Sequence, residues 1–567
     1  MRKVRLMPIV SVVLAIVLTA STFSGCNKKT EKQPEVKAAE TAAVSGQTKL
    51  PLVEKPVKLK MWAAMHANHI SAGITNFSEI AAFAELEKRT NMQIEWNNPS
   101  PQNSKEQFQL MIATRDLPDA FLYSTAETAE GDVSRKMLTT NGAVLKLNDL
   151  MNKVAPNVKK ELQSVPGLWK DTVDDTGTLW AIPAYTNDID LGGMALLMQI
   201  RRDWLKKLNL KEPKTQDEWY KVLKAFRDND PNGNGKKDEI PLGAAKNEMG
   251  LLESIMFNTQ GIARGFYVLN GKVKYGDLEP EFKKGIEIGA KFYKEGILDP
   301  DFLTLNLQQL EKSVLENKVG ASYRRQQVKV TQYKAQLKDK LPEYDMWVTA
   351  FPQAQDGKSY IFDPTFTSAV RGLGLYISSL SKNAELIMKW VDYQYTDEGA
   401  RLMNYGIEGT SYNMVNGKPL IDEKIYDIPG KGFNLAARAK YTATGNGTFE
   451  WISRKPKTEK VDGKWPVDVT MGMGDVNLFE DSYKVRNQAD FSRVLPTKSL
   501  SFTDQESSIY VKKMVDINTY RDEMYAKFIT GVEGVDKVEA YQSQLKKMGL
   551  EEVIVIYQAA YDRYMKR

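Results

Sequence analysis

The chain has 567 residues, 42% hydrophobic and 26% charged, a composition that folds into about two soluble domains with sizeable cores. Its net charge of +6 is small for this length, with lysines and acids interspersed, and does not describe a nucleic-acid binder. A single cysteine, Cys26, excludes an intramolecular disulfide, and two histidines, His66 and His69, leave little for histidine catalysis or a transition-metal centre.

The basic stretch Met1-Arg-Lys-Val-Arg5 precedes an apolar run from Leu6 to Phe23. Phe23-Ser-Gly-Cys26 then resembles the bacterial lipoprotein signal, in which small residues precede a cysteine that is lipidated and becomes the mature N-terminus. Phe23 departs from the Leu or Val usual there. The alternative is an uncleaved signal-anchor helix, since about 18 apolar residues can just span a bilayer. Small Ser24 and Gly25 favour the lipoprotein: signal peptide 1–25, palmitoylated Cys26, and a flexible tether over 26–56, where no apolar period occurs.

Val57–Trp62 alternates as a strand does, Ser78–Arg89 has helical spacing, and Met92–Trp96 alternates again. A helix over Lys105–Thr114 and a strand at Ala120–Tyr123 continue the strand-helix order of an α/β fold, with ligands expected beyond the carboxyl ends of strands. His66 and His69 follow the first strand, facing the cleft or simply on a surface loop. Leu179–Pro183 reads as a strand, and Ile200–Leu208 as a helix capped by Asp203. Thr215-Gln-Asp-Glu218 is a capping box opening a helix with Trp219, Val222, Leu223 and Phe226 on one stripe. Further on come strands at Gly271–Tyr275, Val319–Tyr323 and Gly372–Ile377, and helices over Glu279–Glu295 and Asn383–Tyr395. The tail is helical.

The stretch Asp230–Glu239 is the most chemically specified. Asp230, Asn232, Asn234, the carbonyl of Lys236, Asp238 and Glu239 offer only hard oxygens, with Gly233 and Gly235 between them, which suits Ca²⁺. An EF-hand register from Asp228 also fits on paper. It puts Lys236 at the ninth place and Ile240-Pro241 where the exiting helix should start, so the shorter register from Asp230 is preferred. A fully liganded loop leaves no open position for chemistry, so the ion is structural. The competing reading is a metal-free Asn-Gly turn.

Six stretches carry a family pattern: Ala82–Asn91, Asp116–Asp119, Arg201–Leu205, Asp230–Leu242, Asn404–Gly409 and Tyr557–Tyr564. Over essentially the whole mature body they resemble the extracellular solute-binding proteins of carbohydrate ABC importers, in the Gram-positive lipoprotein branch akin to alginate-oligosaccharide- and maltose-binding-type proteins. The resemblance implies a type II periplasmic-binding-protein fold, two α/β lobes hinged about a cleft, with 57–185 plus 370–435 in one lobe and 186–369 plus 436–567 in the other. It implies the calcium ligands named above, an oligosaccharide ligand, a permease partner, a monomer on the outer face of the cell membrane, and no enzymatic activity.

A sugar cleft needs aromatic faces for ring C–H surfaces and polar side chains for hydroxyls. Candidates at strand ends and loops are Trp62, Tyr123, Trp180, Tyr185, Tyr323 and Trp451, with Asp188, Arg324 and Glu408 as polar partners. An anchored glycoside hydrolase with two carboxylates is a rival, as is a ligand-sensing receptor domain. No Gly-x-Ser-x-Gly, His-Glu-x-x-His or phosphate-loop motif occurs in the sequence.

Overall fold

The alternating run after residue 56 forms β1 (Val57–Ala63), and every second residue of β2 (Met92–Asn97) turns inward: Met92, Ile94 and Trp96. Between them α1 (Ala81–Thr90) buries Ala82, Phe83 and Leu86 at helical spacing. Helix α2 (Ser104–Thr114) leads to β3 (Ala120–Ser124), and after the short α3 (Leu168–Thr172) comes β4 (Ile182–Tyr185). The chain then crosses to a second sheet of β5 (Leu197–Arg201), β6 (Ile240–Gly243), β7 (Val319–Arg324) and β8 (Met346–Thr349), ordered β8-β5-β7-β6. It returns as β9 (Val370–Ile377), which lies antiparallel between β3 and β4 and completes a first sheet ordered β2-β1-β3-β9-β4.

This computed structural model describes residues 49–567 apart from 125–134, 188–196, 247, 325–327, 365–366, 429–431, 434, 444–450, 457–458, 461–464 and 466–474. The chain divides into Met1–Ser45, which lies outside the described residues with the signal segment and Cys26, and Gly46–Arg567. Among the described residues no helix is long and apolar enough to cross a membrane.

Each sheet has its own core. Leu59, Phe83, Trp96, Ile182, Ile377 and Trp390 belong to the first, and Ile200, Trp219, Phe226, Ile255, Phe528 and Leu545 to the second. Each such side chain stabilises by about 1.5–3 kcal/mol when fully buried. The capping box of α4 (Gln216–Asp228) forms as expected: Thr215 Oγ1 accepts from the Glu218 N–H at 3.4 Å, and Glu218 Oε2 accepts from the Thr215 N–H at 3.0 Å. Its stripe of Trp219, Val222, Leu223 and Phe226 is buried throughout.

The structure corrects four expectations. The helix expected over Ile200–Leu208 spans only Arg202–Lys207, because Ile200 and Arg201 pair with both β7 and β8 or β8 alone. Asp203 does not cap it; its carboxylate holds the Arg201 guanidinium at 2.8 and 2.6 Å. The strand expected at Leu179–Pro183 lies at Ile182–Tyr185, since the Leu179 N–H is taken by Asn148 Oδ1. The tether does not extend to 56: the Leu52 N–H donates to Thr90 O, and Asn91 Nδ2 donates to Val53 O and Glu54 O. Finally, Ala439, Ala443, Trp451 and Ile452 belong to the first core, past residue 435 where the sequence division left it.

Helix α5 (Gly250–Met256) follows β6, and α6 (Asp504–Thr530) and α7 (Leu550–Met565) pack in the second core. Residues around the end of α7 also bind the first half of the chain. Tyr564 donates to Asp171 Oδ1 at 2.7 Å, while Asp171 Oδ2 accepts from Ser368 Oγ on the returning segment. Arg563 and Arg567 share Asp175 at 2.7 and 2.6 Å, and Arg563 also pairs with Glu506 at 2.6 Å.

Candidate functional site

Two regions carry polar chemistry: the loop after α4 and a cavity at one end of the second sheet.

In the loop, Asp230 sits at φ 45°, and Gly233 and Gly235 at 74° and 73°, left-handed conformations that wind the chain around its own side chains. Asp230 Oδ1 accepts from the Gly233 and Asn234 N–H groups at 2.9 and 3.1 Å, and its Oδ2 from the Gly235 N–H at 3.0 Å. Asn232 and Asn234 each donate an amide N–H to Asp238 Oδ1, at 3.1 and 2.9 Å. Lys207 fastens the loop to its neighbouring helix, donating to Pro231 O at 2.9 Å.

Two local features bear on the register. Asp228 is occupied by Arg227 and Lys224 at 2.7 and 2.8 Å, which hold its carboxyl down to about 2. The segment after Glu239 is strand β6, not a helix. Asp228 is thus engaged by neighbouring cations, and a strand rather than a helix leaves the loop.

Glu239 provides the fit test for a cation. Its Oε1 is buried without a hydrogen-bond partner among the described residues. Burial raises its carboxyl above the usual range, and the charges of Asp230 and Asp238 push the same way. Among the described residues no three acidic, histidine or cysteine side chains already converge as a metal centre. The remaining donors in the loop are amide and peptide oxygens. A hard divalent ion fits this set, since it would neutralise the crowded carboxylates and satisfy Glu239.

The cavity, about 420 Å³, opens beyond the carboxyl ends of the parallel strands β6 and β7. Ligands are expected at that end of an α/β sheet, and the volume falls within the range of about 300–1,000 Å³ for small-molecule sites. Met198 and Tyr323 stand opposite each other in the β5–β7 ladder, so both reach it from one face of the sheet. Gly250 opens α5 against the Tyr323 ring. A Cβ there would come within 2.8 Å of the ring carbons, so the close approach requires glycine. Phe351, Phe362 and Asp363 arrive from the segment that returns to the first sheet.

The polar wall comes from α5 and the loop after it. Glu253 Oε1 accepts from Arg264 at 3.1 Å, Asp522 on α6 accepts from the same guanidinium at 2.6 Å, and Arg264 lies 4.0 Å over the Tyr525 ring. Burial opposes its charge, but Glu253 and Tyr525 hold the guanidinium above its usual value. Ser254, Asn258 and Lys246 add hydrogen-bonding groups.

Among the described residues, Tyr323 is the expected sugar contact that lines this cavity. Trp62 is core, 5.1 Å from Phe108, and Tyr123 stacks on the same ring at 3.6 Å. Trp180 donates to Asp174 Oδ2 at 2.7 Å and packs beside the small cluster around Trp62 and Phe108. Tyr185 is fully buried, donating to Glu161 at 2.6 Å and accepting from the Lys455 N–H at 3.0 Å. Trp451 is fully buried between Phe83 and Trp96, with its indole N–H on Gln394. Strand ends attracted these aromatics because they close the core there. Glu408 is exposed in the turn 406–412. Asp188 and the side chain of Arg324 lie outside the described residues. His66 and His69 cap a short helix, His69 buried against Phe77 at 4.9 Å, where burial pushes its imidazole down to about 4. Sequence reasoning missed Arg264, Glu253, Phe351 and Phe362, which are scattered over more than a hundred positions and join only through the fold.

Residues 73–401 match the bacterial extracellular solute-binding protein family. The fructooligosaccharide ABC transporter substrate-binding protein FusA of Streptococcus pneumoniae is 26% identical over 97% of both chains. Among solved structures, a solute-binding protein of an HMO-binding ABC transporter from Bifidobacterium longum infantis superposes with a TM-score of 0.70, at 23% identity over 91% of this chain and all of its own. The alginate-binding protein AlgQ2, solved without calcium ion, gives 0.63 at 25% identity over 90% of this chain and 99% of its own. The fold is therefore that of the type II binding proteins, two α/β lobes about a ligand cleft.

Proposed function

The chain belongs to the bacterial extracellular solute-binding protein family, and from that premise we propose that it is the membrane-anchored substrate-binding lipoprotein of an ABC importer for an oligosaccharide. The observation that carries the ligand assignment is the cavity beyond β6 and β7, where Tyr323, Phe351 and Phe362 lie beside Glu253, Asn258 and Arg264. Rings offer faces for sugar C–H groups, while carboxylates, amide and guanidinium exchange hydrogen bonds with hydroxyls. The whole-length similarity to a fructooligosaccharide-binding protein supports the same reading.

The working cycle is reversible capture. Lobes open, admit the sugar, and close; the closed state gains only as much as the ligand's contacts with both lobes favour it. The closed form then docks on the permease, and ATP hydrolysis elsewhere drives delivery. Lipidation at Cys26 would keep the receptor at the outer face of the membrane. A calcium ion would be held by Asp230, Asn232, Asn234, the Lys236 carbonyl, Asp238 and Glu239. It supplies charge neutralisation to the loop between α4 and β6 and takes no part in ligand chemistry.

Thermal shift against a panel of oligosaccharides, with product analysis of each mixture, tests the assignment. One or more saccharides should raise the melting temperature and be recovered unchanged. Absence of stabilisation by every saccharide overturns the binding reading, and turnover of a bound sugar overturns it in favour of an anchored glycosidase.

A further inference from the structure

Arg264 reaches the cavity from residues 262–265, which are neither helix nor strand, so its aim must be set by its neighbours. Two helices supply them. On α5, Glu253 accepts from its Nη1 at 3.1 Å; on α6, Asp522 accepts from its Nη2 at 2.6 Å and the Tyr525 ring lies 4.0 Å from the guanidinium. Glu253 and Met256, like Asp522 and Tyr525, are three residues apart and share a helix face. The Tyr525 hydroxyl donates to Met256 Sδ at 3.7 Å, which ties the two helices together behind Arg264.

Asp522 alone is a poor anchor. Its side chain is 60% exposed, and an exposed carboxylate facing a single cation is held weakly, because water competes for it. Arg521 changes that. Its Nε and Nη2 both donate to Asp522 Oδ1, at 3.2 and 3.1 Å, the same oxygen that Arg264 uses. Its Nη1 donates at 3.1 Å to the hydroxyl of Tyr275, which is buried in the second core. Burial works against the Arg521 charge, but Tyr275, Asp277 and Asp522 hold the guanidinium above its usual value. Asp277 is in turn fully buried and accepts from the Tyr541 hydroxyl at 2.7 Å. A chain of bonds therefore runs from the core to the cavity through Tyr275, Arg521, Asp522 and Arg264. Arg521 itself does not line the cavity.

Resting on the saccharide-binding reading above, we propose that Arg521 is a positioning residue for the ligand site: without touching the sugar, it fixes the Asp522 carboxylate and, through it, the direction in which Arg264 presents its donors. A donor already held in place loses less freedom when a hydroxyl arrives, so the effect appears in affinity.

Nystose, cellotetraose, xylotetraose and tetragalacturonate are titrated calorimetrically into the full chain, and the tightest binder is then carried through the variants below their melting transitions. Arg264→Gln should weaken it by about tenfold or more, through loss of charge-assisted hydrogen bonds. Arg521→Gln and Asp522→Asn should each weaken it by about fivefold. The double variant should bind no worse than the weaker single one, because one path is broken twice, whereas independent effects multiply to about 25-fold. Arg521→Lys keeps a cation beside Asp522 and should bind within about twofold of the wild type, whatever its melting temperature. The proposal is overturned if Arg521→Gln leaves affinity unchanged, if the double variant shows the multiplied loss, or if Arg521→Lys binds no better than Arg521→Gln. Should Arg521→Gln fail to fold, Tyr275→Phe removes only the anchoring hydroxyl; it should weaken binding by about twofold, and wild-type affinity there overturns the proposal equally. If no tetramer binds the wild type, or Arg264→Gln binds as the wild type does, the saccharide reading of the cavity fails, and the role of Arg521 with it. An unchanged Arg521→Gln beside a weakened Arg264→Gln sinks the role of Arg521 alone.

Discussion

The loop at Asp230–Glu239 and the cavity beyond β6 and β7 are both built from carboxylates, amides and close turns, yet they are organised in opposite ways. The loop is contiguous: every donor lies within ten residues, and Asp230, Asn232 and Asn234 already fold the backbone around themselves through N–H groups of the same segment. The cavity is assembled from β5, β7, α5, the loop bearing Arg264 and the segment that returns to the first sheet. Local chemistry that shapes its own backbone can be read one residue at a time. Chemistry that depends on which strands become neighbours cannot. On the proposed function, the loop acts on the stability of its lobe and the cavity on affinity.

The largest effect expected of a single substitution tests that separation at a residue belonging to neither region. Trp451→Ala removes a fully buried indole from the first core and should cost about 3–5 kcal/mol of stability, read as a fall in denaturant midpoint. Sugar affinity at a temperature where the fold survives should change little. A large affinity loss with unchanged stability would make Trp451 a ligand contact and dissolve the boundary drawn around the cavity.

Chelation probes the loop. Removing an ion held at a hundredfold excess over its dissociation constant costs about 2.7 kcal/mol, so the melting temperature should drop by a few degrees on adding EGTA and recover with calcium. Affinity for sugar should hold below the transition. If affinity collapses while the fold is intact, loop and cavity are coupled.

Tyr323→Ala probes the cavity from the other direction. Loss of one aromatic face should weaken sugar binding by about tenfold, measured by titration calorimetry below the transition, and because Tyr323 is also buried in the second core the melting temperature should fall as well. The effect of Glu506→Gln should be smaller still. Arg563 holds the Glu506 carboxyl below its usual value despite burial. Its contribution is therefore complete above the unfolded carboxylate pKa and vanishes as pH falls through the lower folded one. The stability gap between wild type and variant, under about 1 kcal/mol at neutral pH, should narrow as pH falls below the ordinary carboxylate range.

How much was legible follows the same division. The order of strands and helices and the capping box at Thr215–Glu218 were readable because each depends on neighbours a few residues away. The Ile200–Leu208 helix was misjudged because ladder partners at Ala321 and Trp347, more than a hundred positions downstream, claim Ile200 for a strand. Most of the aromatic candidates lie away from the cavity for a related reason. Trp62, Tyr185 and Trp451 stand where a sugar platform would, but nothing local distinguishes a ring that faces a cleft from one that plugs the core behind it. Arg264 and Glu253 carry no sequence signature at all, since their meaning comes from each other and from Asp522.

The bonds from Tyr564, Arg563 and Arg567 to Asp171 and Asp175 have a mechanical consequence. They pin a helix of the second core to the first beside Ser368, close to where the chain returns to the first sheet. If those bonds persist while the lobes part, that corner is a fulcrum and the motion resembles a jaw. Displacement then grows with distance from it, so a few degrees of rotation open the far rim widely while leaving the near edge almost shut. A chain-like cargo would be fed in from the far side, one end first.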